Sequence, residues 1–278
     1  MPDAIMAANQ RAGEVGEILR QARRQRRKVQ LQRLVDRVVL MMLVLLVWEG
    51  VVRLGLVREF FISRPTRLAA DLYGLFSSGD IWPHLLITCY ETLGGLVIGT
   101  VFGVLTGFAA GLSPRFGDAI EPIIVAFNSM PRIAIAPLFV IWLGFGPESK
   151  IALAALVVYF VVFFNTVGGI RAIPPALSHS IRTMGGTKYN VLRFVTFPFC
   201  LSWVFAATKV SISMALLGAV VGEFVGSQAG LGWLMLQASG TLDTTRLFSC
   251  MVILAAFGSL LFLLVKLVED RMLRWRPH

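Results

Sequence analysis

The chain has 278 residues, of which 56% are hydrophobic and 15% are charged, and its formal net charge is +10. Soluble globular domains carry about 25% charged residues, so this composition excludes an ordinary water-soluble domain and indicates an integral membrane protein. The long unbroken apolar runs favour membrane-spanning helices over the alternating strands of a barrel.

The excess of Lys and Arg is explained by the positively charged cytoplasmic segments that orient membrane helices, so we expect no nucleic-acid partner. The three cysteines, Cys89, Cys200 and Cys250, lie singly inside apolar runs. They show no paired spacing, so we expect them to pack within helices and we expect no metal site.

Residues 1–33 form a polar, basic tail that ends in RQARRQRRKVQLQR. No small-residue cleavage site follows the first apolar run, which argues against a cleaved signal peptide. We interpret the tail as an uncleaved cytoplasmic segment. Its arginines hold the N terminus inside and contact anionic lipid, at about 1 kcal/mol for each basic residue near the surface.

Six apolar segments follow the tail, each near the ~20 residues that a bilayer requires. They cover residues 35–57, 84–111, 119–143, 150–172, 199–222 and 247–268. If the N terminus is cytoplasmic, most of the inside joints are basic and the outside joints are balanced in charge. The sequence therefore predicts an all-α polytopic membrane domain over residues 34–278, with both termini in the cytoplasm.

The second apolar segment contains a ladder of glycines at intervals of four residues. Its members are Gly95, Gly99, Gly103, Gly107 and Gly111. This spacing places them close to one helical face, where another backbone can approach closely. The ladder predicts tight helix packing, either within the subunit or across a dimer.

The third apolar segment is interrupted by polar residues and prolines. Pro122, Pro131 and Pro137 are expected to break or kink it, and Asn128 and Arg132 flank the middle proline. An arginine inside a membrane costs at least about 2.5–3.5 kcal/mol unless it faces protein or water. We expect this broken segment to line a cavity on the translocation pathway, although Arg132 could instead snorkel or pair structurally.

Three other polar residues in or beside apolar segments are candidates for the same pathway. They are Glu91 in the second segment, Asn165 in the fourth and Glu223 after the fifth. Glu91 could neutralise Arg132, but the sequence does not bring the two together.

Residues 173–198 separate the fourth and fifth segments and are predicted to form a helix–turn–helix on the cytoplasmic surface. Paired prolines can begin a helix over 176–184, and Gly185 or Gly186 supplies the left-handed turn that ends it. A second, amphipathic helix is expected over 187–196. A connection this elaborate favours docking of another protein, with an ordinary amphipathic surface loop as the alternative.

The stretch HSIRTMGGTKYNVLRFVTFP resembles the cytoplasmic EAA loop of binding-protein-dependent ABC importer permeases. That pattern is Glu-Ala-Ala, three residues, Gly, nine residues, Ile, one residue and Leu-Pro. Gly185 takes the glycine position, Val195 the isoleucine position, and Phe197 and Pro198 the final pair. The spacing from glycine to proline is kept.

The opening triplet departs from the pattern, because His179 takes the Glu position and Ser180 and Ile181 take the two Ala positions. Two further stretches, PRIAIAPLFVIWLGFGPESKIAL and VVGEFVGSQAGLGWLM, resemble regions of the sulfonate, taurine and nitrate importer permeases. The likeness covers roughly residues 60–276.

The resemblance implies the architecture of a type I ABC importer permease, with six transmembrane helices and a cytoplasmic coupling helix. It implies that the residues of the loop contact a separate ATPase. These ATPase-coupling residues are Ser178, His179, Ser180, Arg182, Thr183, Gly185, Gly186, Lys188 and Pro198.

The resemblance also implies partners: a second permease copy, two ATPase subunits that bind ATP and Mg, and a periplasmic substrate-binding protein. It implies a place in the bacterial inner membrane and a small polar or anionic nutrient, such as a sulfonate, taurine, nitrate or a pyrimidine-type precursor. The chain lacks a G-x-x-x-x-G-K-[ST] phosphate loop, so we expect no ATP hydrolysis, no other enzymatic activity and no cofactor of its own.

Two other functions remain open from the residues alone. One is a gradient-driven secondary carrier that uses Glu91, Arg132 and Glu223 as ion or proton sites. The other is a membrane-anchoring scaffold in which the basic tail is the working part.

Overall fold

The computed structural model describes residues 31–274 together with Gln25 and Val29, and its regular elements are helices. Most of the basic tail predicted over residues 1–33 lies outside the described residues. Residues 31–53 are helical and are called α1. The α-helices that follow are α2 (Pro65–Ser78), α3 (Ile81–Leu112), α4 (Pro114–Asn128), α5 (Ala136–Leu143), α6 (Pro147–Arg171), α7 (Pro175–Thr183), α8 (Lys188–Val191), α9 (Phe197–Gly226), α10 (Leu231–Gly240) and α11 (Thr244–Met272).

Within the described residues, four helical stretches are long and apolar enough to cross a membrane: α3, α6, Lys188–Gly226 and α11. The segments Pro114–Asn128 and Arg132–Leu143 pass the same test together, but they are bent by 85° and would make a fifth span. The all-helical membrane fold expected from the sequence is therefore confirmed. The count of six spans stays a prediction, with α1 overlapping the remaining expected segment at 35–57.

The chain divides after Arg67 into two compact units. In the described part of the first unit, ion pairs organise the turn after α1. The Glu59 carboxylate lies 2.8 Å from the guanidinium of Arg64 and 2.8 Å from that of Arg67. The hydrogen bond from Arg64 lowers the pKa of Glu59, which is the usual effect of a donor to the charged form.

In the second unit, α6 is the central helix. Of its most apolar stretch, 56% is buried, compared with 33% for α3, 33% for Lys188–Gly226 and 22% for α11. Among the described residues, α3 and α9 pack against α6, whereas α11 packs on α9 and α10. The less enclosed helices expose apolar side chains, as expected of surfaces that face lipid.

The glycine ladder of α3 packs directly on α6. A Cβ atom at Gly99 would lie 2.5 Å from the carbonyl oxygen of Ala155, and one at Gly107 would lie 2.7 Å from the Cβ of Thr166. The same arrangement holds at Gly95, Gly103 and Gly111. The ladder could have packed within the subunit or across a dimer, and the structure places it at the α3–α6 interface within the subunit.

The helix α9 packs on α6 in a similar way. A Cβ atom at Gly218 would lie 2.7 Å from the Cα of Ala154, and one at Gly222 would lie 2.8 Å from the Cγ of Lys150. These close approaches bring backbone within van der Waals distance of backbone, which is how membrane helices associate without a hydrophobic driving force. They also fix which residues of α3 and α9 meet at the N-terminal end of α6.

Candidate functional site: a cavity beside the broken helix and an exposed loop

The break in the third apolar segment lies at residues 129–131. Pro131 is extended, with φ −67° and ψ 99°, and leads into a 3-10 turn at Arg132–Ile135. Pro137 occupies the first turn of α5, where its missing N–H has no helical partner to lose. Pro122 does not break the helix, because it lies inside α4.

At this break, Arg132 is held by two contacts. Its Nη2 donates to the Oδ1 of Asn128 at 2.5 Å, and its guanidinium carbon lies 5.5 Å from the centre of the Phe160 ring. A guanidinium over an aromatic face is attracted by the negative face of the ring, and the interaction strengthens when water is excluded. These contacts hold the charge in place, and among the described residues Asn128 is the one that accepts a hydrogen bond from the guanidinium.

A cavity of about 270 Å³ opens beside Arg132 and Asn128. Side chains from α6 and α9 form its apolar wall, among them Leu153, Val157 and Met214. In the described part of the chain, none of the residues that line this cavity is acidic. The cavity therefore combines one fixed cation and one amide with an apolar wall, which suits an anionic group attached to an apolar body.

The other predicted pathway residues lie elsewhere. Asn165 donates from its Nδ2 to the Val161 carbonyl oxygen at 2.8 Å, one turn back on its own helix. Glu91 and Glu223 are buried, with 1% and 0% of their surfaces exposed. Glu91 does not meet Arg132 among the described contacts; it meets Glu223 instead, since the two carboxyl groups are within hydrogen-bonding contact.

Around Glu223 a polar cluster ties the N terminus of α10 to α3 and α9. The Thr88 hydroxyl donates to Oε1 of Glu223 at 2.6 Å and accepts from the Leu231 N–H at 2.8 Å. The N–H of Gly232 donates to Oε2 of Glu223. The N–H of Gly230 donates to Nδ1 of His84 at 3.1 Å.

The fully buried Lys150 is a feature that the sequence analysis missed. Its ammonium group donates to the carbonyl oxygens of Phe145, Gly146 and Gly226, at 2.5, 3.0 and 2.5 Å. A lysine at the edge of an apolar segment is normally expected to snorkel towards water. The available signal was its position shortly after the turn that contains Gly144 and Gly146, where carbonyl groups have few helical partners.

The loop after α6 adopts the turn that its glycines predict. The short helix α7 ends at Thr183, and Gly185 has φ +82°, in the left-handed region that favours glycine. A Cβ atom at Gly186 would lie 2.7 Å from the carbonyl oxygen of Ile181, so this position also requires a glycine. Both glycines therefore contribute to one turn, one by conformation and one by close approach.

The second half of the loop differs from the prediction. Instead of a separate surface helix over 187–196, α8 continues through a π-helical turn at Leu192–Thr196 into α9. The Phe197 N–H donates to the carbonyl oxygen of Leu192, one residue further back than in an α-helix. This widened turn ends two residues before Pro198, whose ring would clash with a carbonyl in regular α-helical geometry.

No residue of α7 is buried, and its exposed side chains include His179, Ser180, Arg182 and Thr183. Ser178 is half-buried and Lys188 is exposed. Residues 172–198 contain no acidic residue, so the charged side chains of this loop are all basic. Across the described residues, no group of three or more His, Cys, Asp or Glu side chains is placed to hold a metal ion.

Comparison with known proteins is consistent with this geometry. The model of the family "Binding-protein-dependent transport system inner membrane component" matches residues 99–274. The riboflavin transport system permease protein RibX of Chloroflexus aurantiacus is 33% identical, over 85% of this chain and 88% of that protein. SsuC of Bacillus subtilis, a permease protein assigned to aliphatic sulfonates transport, is 30% identical over 84% of each chain.

Solved structures show the same fold. A chain of the inward facing MetNI methionine ABC transporter aligns with a TM-score of 0.58 and 20% identity, covering 72% of this chain and 99% of that chain. The family match and the two relatives extend over most of the helical bundle, including the broken segment and the loop that contains α7. The chain belongs to the binding-protein-dependent transport system inner membrane component family, and it is the non-catalytic permease subunit of an ABC transporter.

Proposed function

We propose that two copies of this chain form the translocation pathway of an importer for small organic anions in the bacterial inner membrane. A binding protein delivers the substrate to the outer face, and ATP and Mg are bound by two separate ATPase subunits on the inner face. The observation that carries the choice of substrate is the cavity beside Arg132, where a single held cation faces apolar side chains.

Charge and shape support this substrate class. An aliphatic sulfonate or carboxylate presents one negative group, which the guanidinium can bind, and an apolar chain, which the walls from α6 and α9 can cover. A zwitterion would need an acidic partner, and none of the residues lining the cavity in the described part of the chain is acidic. The relative assigned to aliphatic sulfonates transport is consistent with this choice.

In this proposal, α7 and the turn at Gly185 couple ATP hydrolysis by the ATPase subunits to transport. No residue of the helix is buried, and the loop that contains it carries the glycine-to-proline spacing of the EAA loop. The basic residues of this loop and of both terminal tails favour a cytoplasmic location by the positive-inside rule. In this orientation α7 and both termini face the ATPase subunits, and the basic tail 1–33 contacts anionic lipid.

The test is uptake into proteoliposomes that contain the permease, the ATPase and the binding protein, with an aliphatic sulfonate as substrate. Arg132→Ala is expected to lower the uptake rate about 10- to 100-fold, because a charge-assisted hydrogen bond contributes about 1.5–3 kcal/mol. Arg132→Lys keeps the charge but loses the planar fork, so it should lie between Arg132→Ala and the unchanged protein.

A matched control is Arg115→Ala, which removes an exposed arginine at the start of α4 without touching the cavity. Its uptake should equal that of the unchanged protein. If Arg132→Ala transports the sulfonate at the unchanged rate while remaining assembled, Arg132 is not on the pathway and the proposed substrate class is wrong.

A further inference from the structure

The contact between Glu91 and Glu223 is unusual because both carboxyl groups are buried. They come from different helices, α3 and α9, and meet at the N-terminal end of α6. Two ionised carboxylates in contact inside a protein would repel each other strongly, and each would also lose its hydration. The contact is stable when one of the two carries a proton that it donates to the other.

The hydrogen-bond donors around the pair indicate which carboxyl group is ionised. Glu223 receives the Thr88 hydroxyl and the backbone N–H groups of Gly232 and Trp233. An ionised carboxylate accepts on all its lone pairs, so this is the environment that the charged form requires. By contrast, none of the described residues donates to Oε2 of Glu91. The proton therefore belongs on Glu91.

Charge balance leads to the same assignment. The buried Lys150 on α6 is the cation that faces the pair, and its three N–H donors are all bound to backbone carbonyls. His84 on α3 accepts the Gly230 N–H through Nδ1, and Glu148 on α6 is exposed. The helix α10 carries no titratable residue. With one proton on Glu91, the charges of Lys150 and Glu223 cancel.

We propose that Glu91 is held as a neutral carboxylic acid that donates a hydrogen bond to ionised Glu223, and that this proton keeps the N terminus of α10 closed on α3. The proton can exchange through a cavity of about 380 Å³ that Glu91 lines together with Tyr90, Ser227 and Gln228. This site belongs to the end of α6 opposite to α7, so it is separate from the coupling loop.

Closure and protonation are coupled through α10. Its N terminus depends on the Thr88 hydroxyl and on Glu223, through the N–H groups of Leu231 and Gly232. If Glu91 loses its proton while the cluster is closed, the two adjacent carboxylates repel, Glu223 is displaced from Thr88 and the Gly232 N–H, and the N terminus of α10 loses these bonds. The closed arrangement thus holds one more proton than the opened one, so raising the pH favours opening and lowering it favours closure.

The direct test is infrared spectroscopy of the full chain in lipid nanodiscs at neutral pH, with ¹³C-labelled glutamate. The unchanged protein should show a protonated glutamate carboxyl band that shifts in D₂O, and Glu91→Gln should remove it. The matched control is Glu269→Gln. Glu269 is paired with Lys209 at 2.6 Å, so this change should remove ionised carboxylate absorption instead. A spectrum of the unchanged protein without a protonated glutamate band overturns the proposal, whether or not Glu91→Gln folds.

Hydrogen exchange tests the closing role separately. After correction for intrinsic exchange, the amides of Leu231 and Gly232 should lose protection as the pH rises in the unchanged protein, and should keep it in Glu91→Gln. Protection that does not change with pH in the unchanged protein overturns the link between the proton and α10. Neither measurement requires a substrate or an ATPase, so either outcome is independent of the proposed transport function.

Discussion

At the scale of single residues, the glycine ladder of α3 leaves no room for a side chain. A Cβ atom at Gly99 would lie 2.5 Å from the Ala155 carbonyl oxygen and 2.7 Å from the Cβ of Val158. Because the nearest atoms are backbone and a branched side chain, relief requires the two helices to separate. Gly99→Ala is therefore expected to destabilise the protein by about 1–3 kcal/mol, as overpacking of a close contact does.

The matched control for this change is Gly74→Ala in α2, where a Cβ atom would meet nothing within 4 Å. Replacing an unhindered helical glycine by alanine should stabilise the protein by up to about 1 kcal/mol. Thermal unfolding of both variants in the same detergent measures the difference. Equal shifts in the unfolding temperature would show that the α3–α6 contact is looser than the structure has it.

The residue scale also shows what a sequence can and cannot predict about the site. Asn128 and Arg132 were identified because a polar pair beside Pro131 is conspicuous inside an apolar segment. Glu91 and Glu223 were noticed for the same reason, but their partners were not. They are far apart in the chain, and only the packing of α3 and α9 on α6 brings them into contact.

At the scale of elements, the turn after α7 gives a prediction in which two substitutions of Gly185 are compared with each other. Gly185 has φ +82° and open space around its Cα, so a substitution there acts through backbone strain alone. Gly185→Val should misplace α7 and lower the coupling of ATP hydrolysis to transport, because branched residues avoid the left-handed region. Gly185→Asn should retain most of the coupling, because Asn visits that region readily.

The measurement is the ratio of substrate transported to ATP hydrolysed in proteoliposomes. If Gly185→Val and Gly185→Asn keep the same ratio as the unchanged protein, this turn does not set the position of the connecting helix. If Gly185→Val does not assemble, the ratio of transport to ATP hydrolysis can still be measured for Gly185→Asn.

The loop also shows which structural features neighbouring residues determine and which they do not. The bounds of α7 and the left-handed turn follow from prolines and glycines, whose conformational preferences act within a few residues. The continuation of α8 into α9 does not, because a proline at position 198 normally suggests a helix boundary. The helix continues past this position through a single π-helical turn at Leu192–Thr196. The local composition does not predict that turn.

At the scale of the whole molecule, the composition and the apolar segments predicted the helical membrane fold and the resemblance predicted the family. The centrality of α6 could not be predicted, since nothing in its sequence identifies the helices that pack against it. It becomes visible only when glycines from α3 and α9 are both found against α6.

The whole-molecule prediction concerns the source of energy. Vesicles that contain the purified chain alone should show no uptake driven by a proton or sodium gradient, and uptake should require the ATPase, the binding protein and ATP. Removal of residues 1–24 should leave that uptake intact, because the region that matches the permease family, residues 99–274, does not include them. Gradient-driven uptake by the chain alone would instead support a secondary carrier, and loss of uptake on truncation would support a working role for the tail.

The uninterrupted helical stretch Lys188–Gly226 has a mechanical consequence. Its 39 residues extend over about 58 Å at 1.5 Å per residue, from the exposed loop at one end of the bundle to the turn beside the acid pair at the other. Because the helix is long, a tilt of about 5° around its midpoint moves each of its ends by about 2.5 Å. That displacement is comparable to the 2.6 Å separation between Thr88 and Glu223. If the ATPase acts on the loop as proposed, a small tilt applied at that end of the helix would be enough to break the Thr88–Glu223 hydrogen bond at the other end.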